Sequence, residues 1–272
     1  MNQPAELPLR TLKLFAGRAV RHGFTSRTDQ MPAGGDVSYV TGPDPATVRA
    51  NRDRWAGAIG VDPRRLVCAR QVHGNRVRIV VPEDAGRGYQ AYDDAIERTD
   101  GLITQATEVP LAVFCADCVP ILLFDPVRRA VGAVHAGWRG TAADIPGRAV
   151  RTMHESFGTD AGDLLVGIGP SIGRCCYEVG AEVVDAWAAT GLDPGESAVE
   201  RHDGRHRFNL WRANTLALIA AGVLVVQIEV QGDCTRCRSD RYFSYRAQGG
   251  QAGRFGAVIA LERSDGAPDG GH

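Results

Sequence analysis

Apolar and alternating positions along the chain mark a series of short strands near Leu12–Phe15, Leu66–Ala69, Val77–Val81, Leu111–Phe114, Ile121–Phe124, Ala130–Val134, Leu164–Ile168, Val223–Val230 and Gly256–Leu261. Helical spacing predicts helices over Asp144–Phe157, Ala181–Thr190 and Leu210–Ala221, the last opened by Asn209 as a cap. A further helical pattern runs through Val48, Trp55 and Ala58 between Pro45 and Gly60, after a stretch from Arg27 to Pro45 whose Gly, Pro and Asp content reads as a long loop. Strands and helices mix without a regular βαβ beat, so the expected class is α+β with layered sheets.

No internal repeat is visible, and nothing within residues 1–263 looks like a domain linker, so these residues are expected to form one catalytic domain. Ser264 to His272 is polar and glycine-rich and is expected to be a disordered tail. The 272 residues, 44% of them hydrophobic, are enough to bury a core. Lys and Arg total 31 against 32 Asp and Glu, and a net charge of -1 offers no footprint for nucleic acid or an anionic membrane. The N-terminus lacks a basic start and an apolar core, and no stretch approaches the roughly 18 apolar residues that span a bilayer. A cytoplasmic protein, monomer or homodimer, is expected. Seven cysteines, an odd number with no export signal, argue for reduced thiols rather than a disulfide framework.

Chemistry concentrates in three short motifs: Gln71-Val72-His73-Gly74, Ala116-Asp117-Cys118-Val119-Pro120 and Val134-His135-Ala136-Gly137-Trp138-Arg139-Gly140. His73, Cys118 and His135 supply two imidazoles and a thiolate, which suits a zinc ion with its fourth position open. The two strand-like runs around Asp125-Pro126-Val127-Arg128-Arg129 form a natural hairpin, and the point halfway between 118 and 135 falls inside that turn. Residues equidistant from a turn face each other with Cβ atoms roughly 4.5–5.5 Å apart, so Cys118 and His135 are expected to be direct cross-strand partners. His73, followed by the turn pair Gly74-Asn75, is placed to present its ring at a strand end. A solvated turn histidine and a buried structural cysteine fit the same residues.

After His135 the chain turns through Gly137 into a helix, so Arg139 and the backbone at Gly140 are candidate binders of a phosphate or carboxylate. Asp117 is a candidate for orienting one of the histidines or for proton transfer. A glycine-rich turn at Gly167-Ile168-Gly169-Pro170-Ser171-Ile172-Gly173-Arg174 matches no nucleotide-binding fingerprint. Cys234-Thr235-Arg236-Cys237 reads as half of a structural zinc site or as a redox pair, with Cys175-Cys176 as its nearest source of further thiols.

Taken with His22-Gly23-Phe24-Thr25-Ser26-Arg27, Asp100-Gly101-Leu102-Ile103-Thr104, Gly167-Ile168-Gly169-Pro170 and Phe243-Ser244-Tyr245-Arg246, these motifs span nearly the whole chain. In that order they resemble the YfiH/LACC1 family, the former multicopper polyphenol oxidases or laccase-domain proteins, now regarded as purine nucleoside phosphorylases. The resemblance implies zinc, with copper as the alternative metal, on the positions of His73, Cys118 and His135; Asp117, beside Cys118, is added to them as a candidate catalytic residue from its place in the sequence. It implies a layered α/β/β/α sandwich of mixed sheets, similar to the cysteine-hydrolase fold of cytotoxic necrotizing factor. It also implies phosphorolysis of adenosine, inosine, guanosine and methylthioadenosine, with adenosine deamination alongside. One departure is the segment Gly34-Gly35-Asp36-Val37-Ser38-Tyr39-Val40, which replaces the family's Gly-Gly-Val-Ser and Ser-Leu-Asn-Leu segments and bears on substrate range rather than on the metal.

Two other readings remain. Cys118 as nucleophile with His135 as base makes a cysteine hydrolase acting on an amide such as a peptidoglycan precursor. A zinc-stabilised binding module would unfold on chelation and turn over no nucleoside. A multicopper centre is disfavoured, because the chain has only seven histidines and no His-x-His pair.

Overall fold

The structure is a computed structural model that describes residues 6–193, 198–202 and 204–263. Its strands are β1 (Val20–Phe24), β2 (Val67–Cys68), β3 (Val77–Ile79), β4 (Gly101–Thr104), β5 (Leu111–Cys115), β6 (Val119–Asp125), β7 (Ala130–Ala136), β8 (Leu165–Ile168), β9 (Glu178–Val179), β10 (Val199–His202), β11 (Arg205–Phe208), β12 (Ile228–Val230) and β13 (Phe255–Leu261). Its helices are α1 (Pro45–Ile59), α2 (Trp138–Ala142), α3 (Ile145–Phe157), α4 (Ala181–Ala188), α5 (Leu210–Ala220) and α6 (Tyr245–Gln248).

Two mixed sheets form the middle of the molecule, one ordered β1-β13-β5-β2 and the other β12-β8-β6-β7-β4-β3. Strand alternation decides what each residue faces. Leu122 and Phe124 of β6 and Val131 and Ala133 of β7 point between the sheets, where they meet Leu111 and Val113 of β5 and Ala257 and Ile259 of β13. Ile121, Leu123 and Val134 point the other way, onto Ala149 and Met153 of α3, Val183 and Trp187 of α4 and Ala213 and Leu218 of α5. Ile59 at the end of α1 covers the outer face of the smaller sheet with Ala112 and Val258. The layers are therefore helix, sheet, sheet, helix, and a small antiparallel sheet of β10-β11-β9 lies to one side.

The helices begin and end where capping chemistry allows. Asp44 accepts from the amides of Ala46 and Thr47 at the start of α1, with Pro45 at its first position, and Gly60 closes it at φ 85°. Asn209 accepts from the Arg212 amide and caps α5 as expected.

Several expectations change. Leu12–Phe15 is not a strand but a single 3-10 turn over Lys13–Phe15, because an i, i+3 pair buries Leu12 and Phe15 together under the sheets. The run Val223–Val230 yields a strand only at Ile228–Val230, since Val225 and Val226 lie in a 3-10 turn with exposed side chains. Strand β1 was hidden by its polar centre, Arg21-His22-Gly23, and is held by full antiparallel pairing with β13. The tail from 264 to 272 lies outside the described residues. Among the described residues no helix is long and apolar enough to cross a membrane.

Candidate metal centre and cavity

The hairpin of β6 and β7 closes through Pro126–Arg129, with Asp125 opposite Ala130. The Asp125 carboxylate accepts from the amides of Val127 and Arg128, and Arg129 takes a left-handed φ of 51°. This turn is centred one residue further along than the simple midpoint implies, so His135 pairs with Pro120 and not with Cys118. Cys118 lies two positions beyond Pro120 and so keeps the same face, which makes the two residues diagonal rather than direct neighbours. Both point to the inter-sheet side, at the open end of the sandwich.

His73 joins them from the loop after β2. Its ring centroid lies 4.9 Å from that of His135, at an interplanar angle of 79°. The ligand atoms of His73, Cys118 and His135 all lie within 4.8 Å of one another.

The group that assembles this cluster is Asp100, immediately before β4. The register of β4 on β7 places Gly101 opposite Val134, which leaves Asp100 beside His135. Its Oδ1 is 2.9 Å from His135 Nδ1, and its two oxygens accept from the successive amides of Val72, His73 and Gly74. One buried carboxylate thereby holds the left-handed turn at His73, φ 59°, and the ring of His135. Burial alone would raise the Asp100 carboxyl, but the hydrogen bond from His135 and the loop amides hold it below the usual carboxylate range. Because Nδ1 donates to Asp100, His135 turns Nε2 towards the cluster.

The same fields act on the thiol. Burial pushes Cys118 up, yet His135 and His73 draw it down to about 6. Burial pushes His135 down, yet Cys118 and Asp100 lift it to about 9. The two shifts share a cause, because the charged form of each group favours the charged form of the other.

These residues fit a divalent ion in three respects. The donor set is two imidazoles and a thiolate, Asp100 orients one imidazole from behind, and residue 137 leaves the room required. A Cβ at Gly137 would lie 2.9 Å from His73 Cδ2 and 3.0 Å from Cys118 Sγ.

The cluster opens into a cavity of about 580 Å³, a size typical of small-molecule sites. Arg139 and Trp138 form one side, with the guanidinium 4.2 Å from the indole centroid, and Tyr177, Tyr245 and Arg246 continue it. Ser38, Tyr39 and Val40, from the Gly34–Val40 segment, also line this cavity. Buried Arg52 pins that segment by donating to the carbonyls of Val37, Gly88 and Tyr89 while lying over the rings of Tyr39 and Phe114.

Two expected residues are placed differently. Asp117 lines the cavity but does not orient a histidine: its oxygens accept from the Thr235 hydroxyl at 2.6 Å and the Arg246 amide at 2.7 Å. Gly140 does not line the cavity. It is buried, and a Cβ there would lie 2.9 Å from the Gly74 carbonyl, so its smallness lets α2 pack on the His73 loop. Asp100 stood in a quoted motif, but its partner 35 residues away is visible only in the pairing of β4 with β7.

The chain is similar to known proteins over most of its length. The family model described as multi-copper polyphenol oxidoreductase laccase matches residues 17–262. The purine nucleoside phosphorylase YlmD of Geobacillus stearothermophilus is 38% identical over 247 residues, 90% of this chain and 89% of that protein. The adenosine deaminase RL5, from an unknown prokaryotic organism, is 33% identical over 82% of this chain and 85% of its own length. The crystal structure of YlmD from Geobacillus stearothermophilus superposes with a TM-score of 0.89 at 35% identity, covering 96% of this chain and 98% of that one.

Proposed function

This chain belongs to the multi-copper polyphenol oxidoreductase laccase family, and from that premise we propose that residues 1–263 form a single-domain, zinc-dependent purine nucleoside phosphorylase. Its substrates on this reading are adenosine, inosine, guanosine and methylthioadenosine with inorganic phosphate. The products are free base and ribose 1-phosphate, or the methylthio sugar phosphate, and adenosine deamination is a second activity. The observation that carries the reading is that the His73, Cys118 and His135 cluster and the Arg139 guanidinium face one cavity of nucleoside size. The names of the relatives support the reaction, and they favour it over a cysteine hydrolase.

A zinc ion held by His73, Cys118 and His135 would supply a Lewis acid with an open position beside the substrate. Arg139, whose guanidinium lies over Trp138 and makes no hydrogen bond among the described residues, is the proposed phosphate binder. It would hold one phosphate oxygen in line with C1′ while the bond from C1′ to the purine nitrogen breaks and negative charge develops on the base. Asp117, fixed by Thr235 and the Arg246 amide, is the proposed proton-transfer group for that leaving nitrogen. Asp100 keeps His135 and the His73 loop in place throughout. In deamination the same cavity would admit water in place of phosphate, although the chain lacks the His-x-Glu and Pro-Cys-x-x-Cys signature of the zinc nucleobase deaminases. The likeness to the cysteine-hydrolase fold would then be one of architecture, with Cys118 serving as a ligand.

The test is chromatography with mass detection of adenosine, inosine and methylthioadenosine incubated with zinc-loaded protein, with and without phosphate. Phosphate-dependent release of base and sugar phosphate, lost in Cys118→Ala, is the expected result, and nucleosides left intact would overturn it. If Asp117→Asn keeps full turnover while Cys118→Ala has none, the proton role of Asp117 is wrong.

A further inference from the structure

A second group of thiols converges away from this cavity. Cys175 and Cys176, in the loop after β8, meet Cys234 and Cys237, in the loop after β12, with all four sulfurs within 4.8 Å of one another. Cys237 Sγ lies 3.6 Å from Cys175 Sγ and 3.4 Å from Cys176 Sγ. A disulfide needs about 2.05 Å and takes sulfurs in pairs. A zinc tetrahedron with Zn–S of about 2.3 Å has sulfur edges of about 3.8 Å, and it takes four.

We propose that Cys175, Cys176, Cys234 and Cys237 form a closed structural zinc site that clips the loop after β8 to the loop after β12. Three further features of the fold agree with four thiolates on one ion.

The Cys-x-x-Cys turn is shaped for it. The amides of Gly173 and Cys237 both point at Cys234 Sγ, the former at 3.2 Å, and amide donors favour a thiolate acceptor over a thiol. The charge is also matched. A zinc tetrathiolate carries a net charge of -2, and the shallow cleft beside the cysteines is lined by Arg207, Arg236 and Arg246. Arg207 donates to the Cys175 carbonyl at 3.0 Å, and Glu178, the acidic residue there, is paired with Arg205. The loops already run alongside each other, with a parallel bridge between Ser171 and Cys234 and the Thr235 amide donating to Ser171.

The clip stands directly behind the cavity. Thr235, between the two cysteines of the turn, donates to Asp117, and Tyr177, next to Cys176, lines the cavity wall. The ion would fix the wall that carries Asp117's partners without touching substrate. The proposal does not depend on the reaction assigned above.

The experiment starts with protein reduced, loaded with excess zinc and desalted. Metal content is measured by mass spectrometry on the wild type and on Cys118→Ala/His135→Ala, which removes the other cluster. The variant is expected to keep one zinc per chain, with a zinc absorption-edge fine structure of sulfur alone at about 2.3 Å. In the wild type, iodoacetamide is expected to spare Cys175, Cys176, Cys234 and Cys237 until a chelator strips the metal. Immediate alkylation of all four in zinc-loaded wild type, iron in place of zinc, or a disulfide joining Cys234 to any of the others would each overturn the proposal. The alkylation arm needs no variant, so misfolding of the double substitution leaves it decisive.

Discussion

His135 Nδ1 and Asp100 Oδ1 are 2.9 Å apart, and both side chains are almost wholly shut off from solvent. The same carboxylate gathers three consecutive amides of the His73 loop, so a single buried charge sets two of the three candidate metal ligands. Asp100→Asn keeps the shape but puts an amide N–H against donors that need an acceptor, at a cost of about 1–3 kcal/mol for each unsatisfied group. Zinc affinity should fall by about 10- to 100-fold, the usual consequence of removing such a support. A zinc competition titration reads this directly, and affinity equal to wild type would show that Asp100 does not organise the site.

Cys118 is held down at about 6 while His135 is held up at about 9. The sign follows: a thiol with a lowered pKa is ionised above that value and loses reactivity as pH falls through it. In metal-free protein the alkylation rate of Cys118 should therefore drop through about pH 6, whereas an ordinary cysteine drops through about 8.5. Saturating zinc should abolish the reaction at every pH. Alkylation that zinc leaves untouched would return Cys118 to the role of a free nucleophile.

Gly137 has φ -75°, which alanine adopts without strain, so the cost of a methyl group there is purely one of space. That space belongs to His73 and Cys118, whose atoms would lie 2.9 and 3.0 Å from the new carbon. Gly137→Ala is expected to fold, with Tm close to wild type, and to lose bound metal and turnover together. A folded variant with full metal content would mean that the ring and the sulfur can step aside.

Most of the fold was legible because strand alternation and helix spacing report burial locally: β5, β6, β7 and β13 and helices α1, α3, α4 and α5 all fall where the pattern puts them. Leu12–Phe15 failed because its buried residues, Leu12 and Phe15, are an i, i+3 pair that shares a face in a 3-10 turn but not in a strand. For the site, the three candidate ligands were visible as residue types in motifs. The relation between Cys118 and His135 was misjudged by a register step of two, which spared the shared face because side chains alternate with period two. Asp100 and Gly137 were not legible, since one acts through a strand pairing and the other through an absence of atoms. The four cysteines were visible only as two separate pairs, and chain topology alone unites them.

Arg139 offers the most direct test of the phosphate step. Its guanidinium lies over the Trp138 ring and makes no hydrogen bond among the described residues, and Arg139 is one of the residues lining the cavity. Hydrogen bonds to a charged partner contribute about 1.5–3 kcal/mol, about 10- to 150-fold in an equilibrium constant. Arg139→Ala should raise KM for phosphate by that factor and leave bound zinc unchanged, because Arg139 is not one of the three candidate ligands. Arg139→Lys should recover only part of the loss, since an ammonium neither stacks on the indole in the same way nor donates two parallel bonds. Steady-state kinetics at fixed nucleoside and varied phosphate separate the cases. A loss confined to KM for the nucleoside would move Arg139 from the phosphate to the sugar or base, and the anion would then have to sit against Arg246 or Arg254, which line the same cavity.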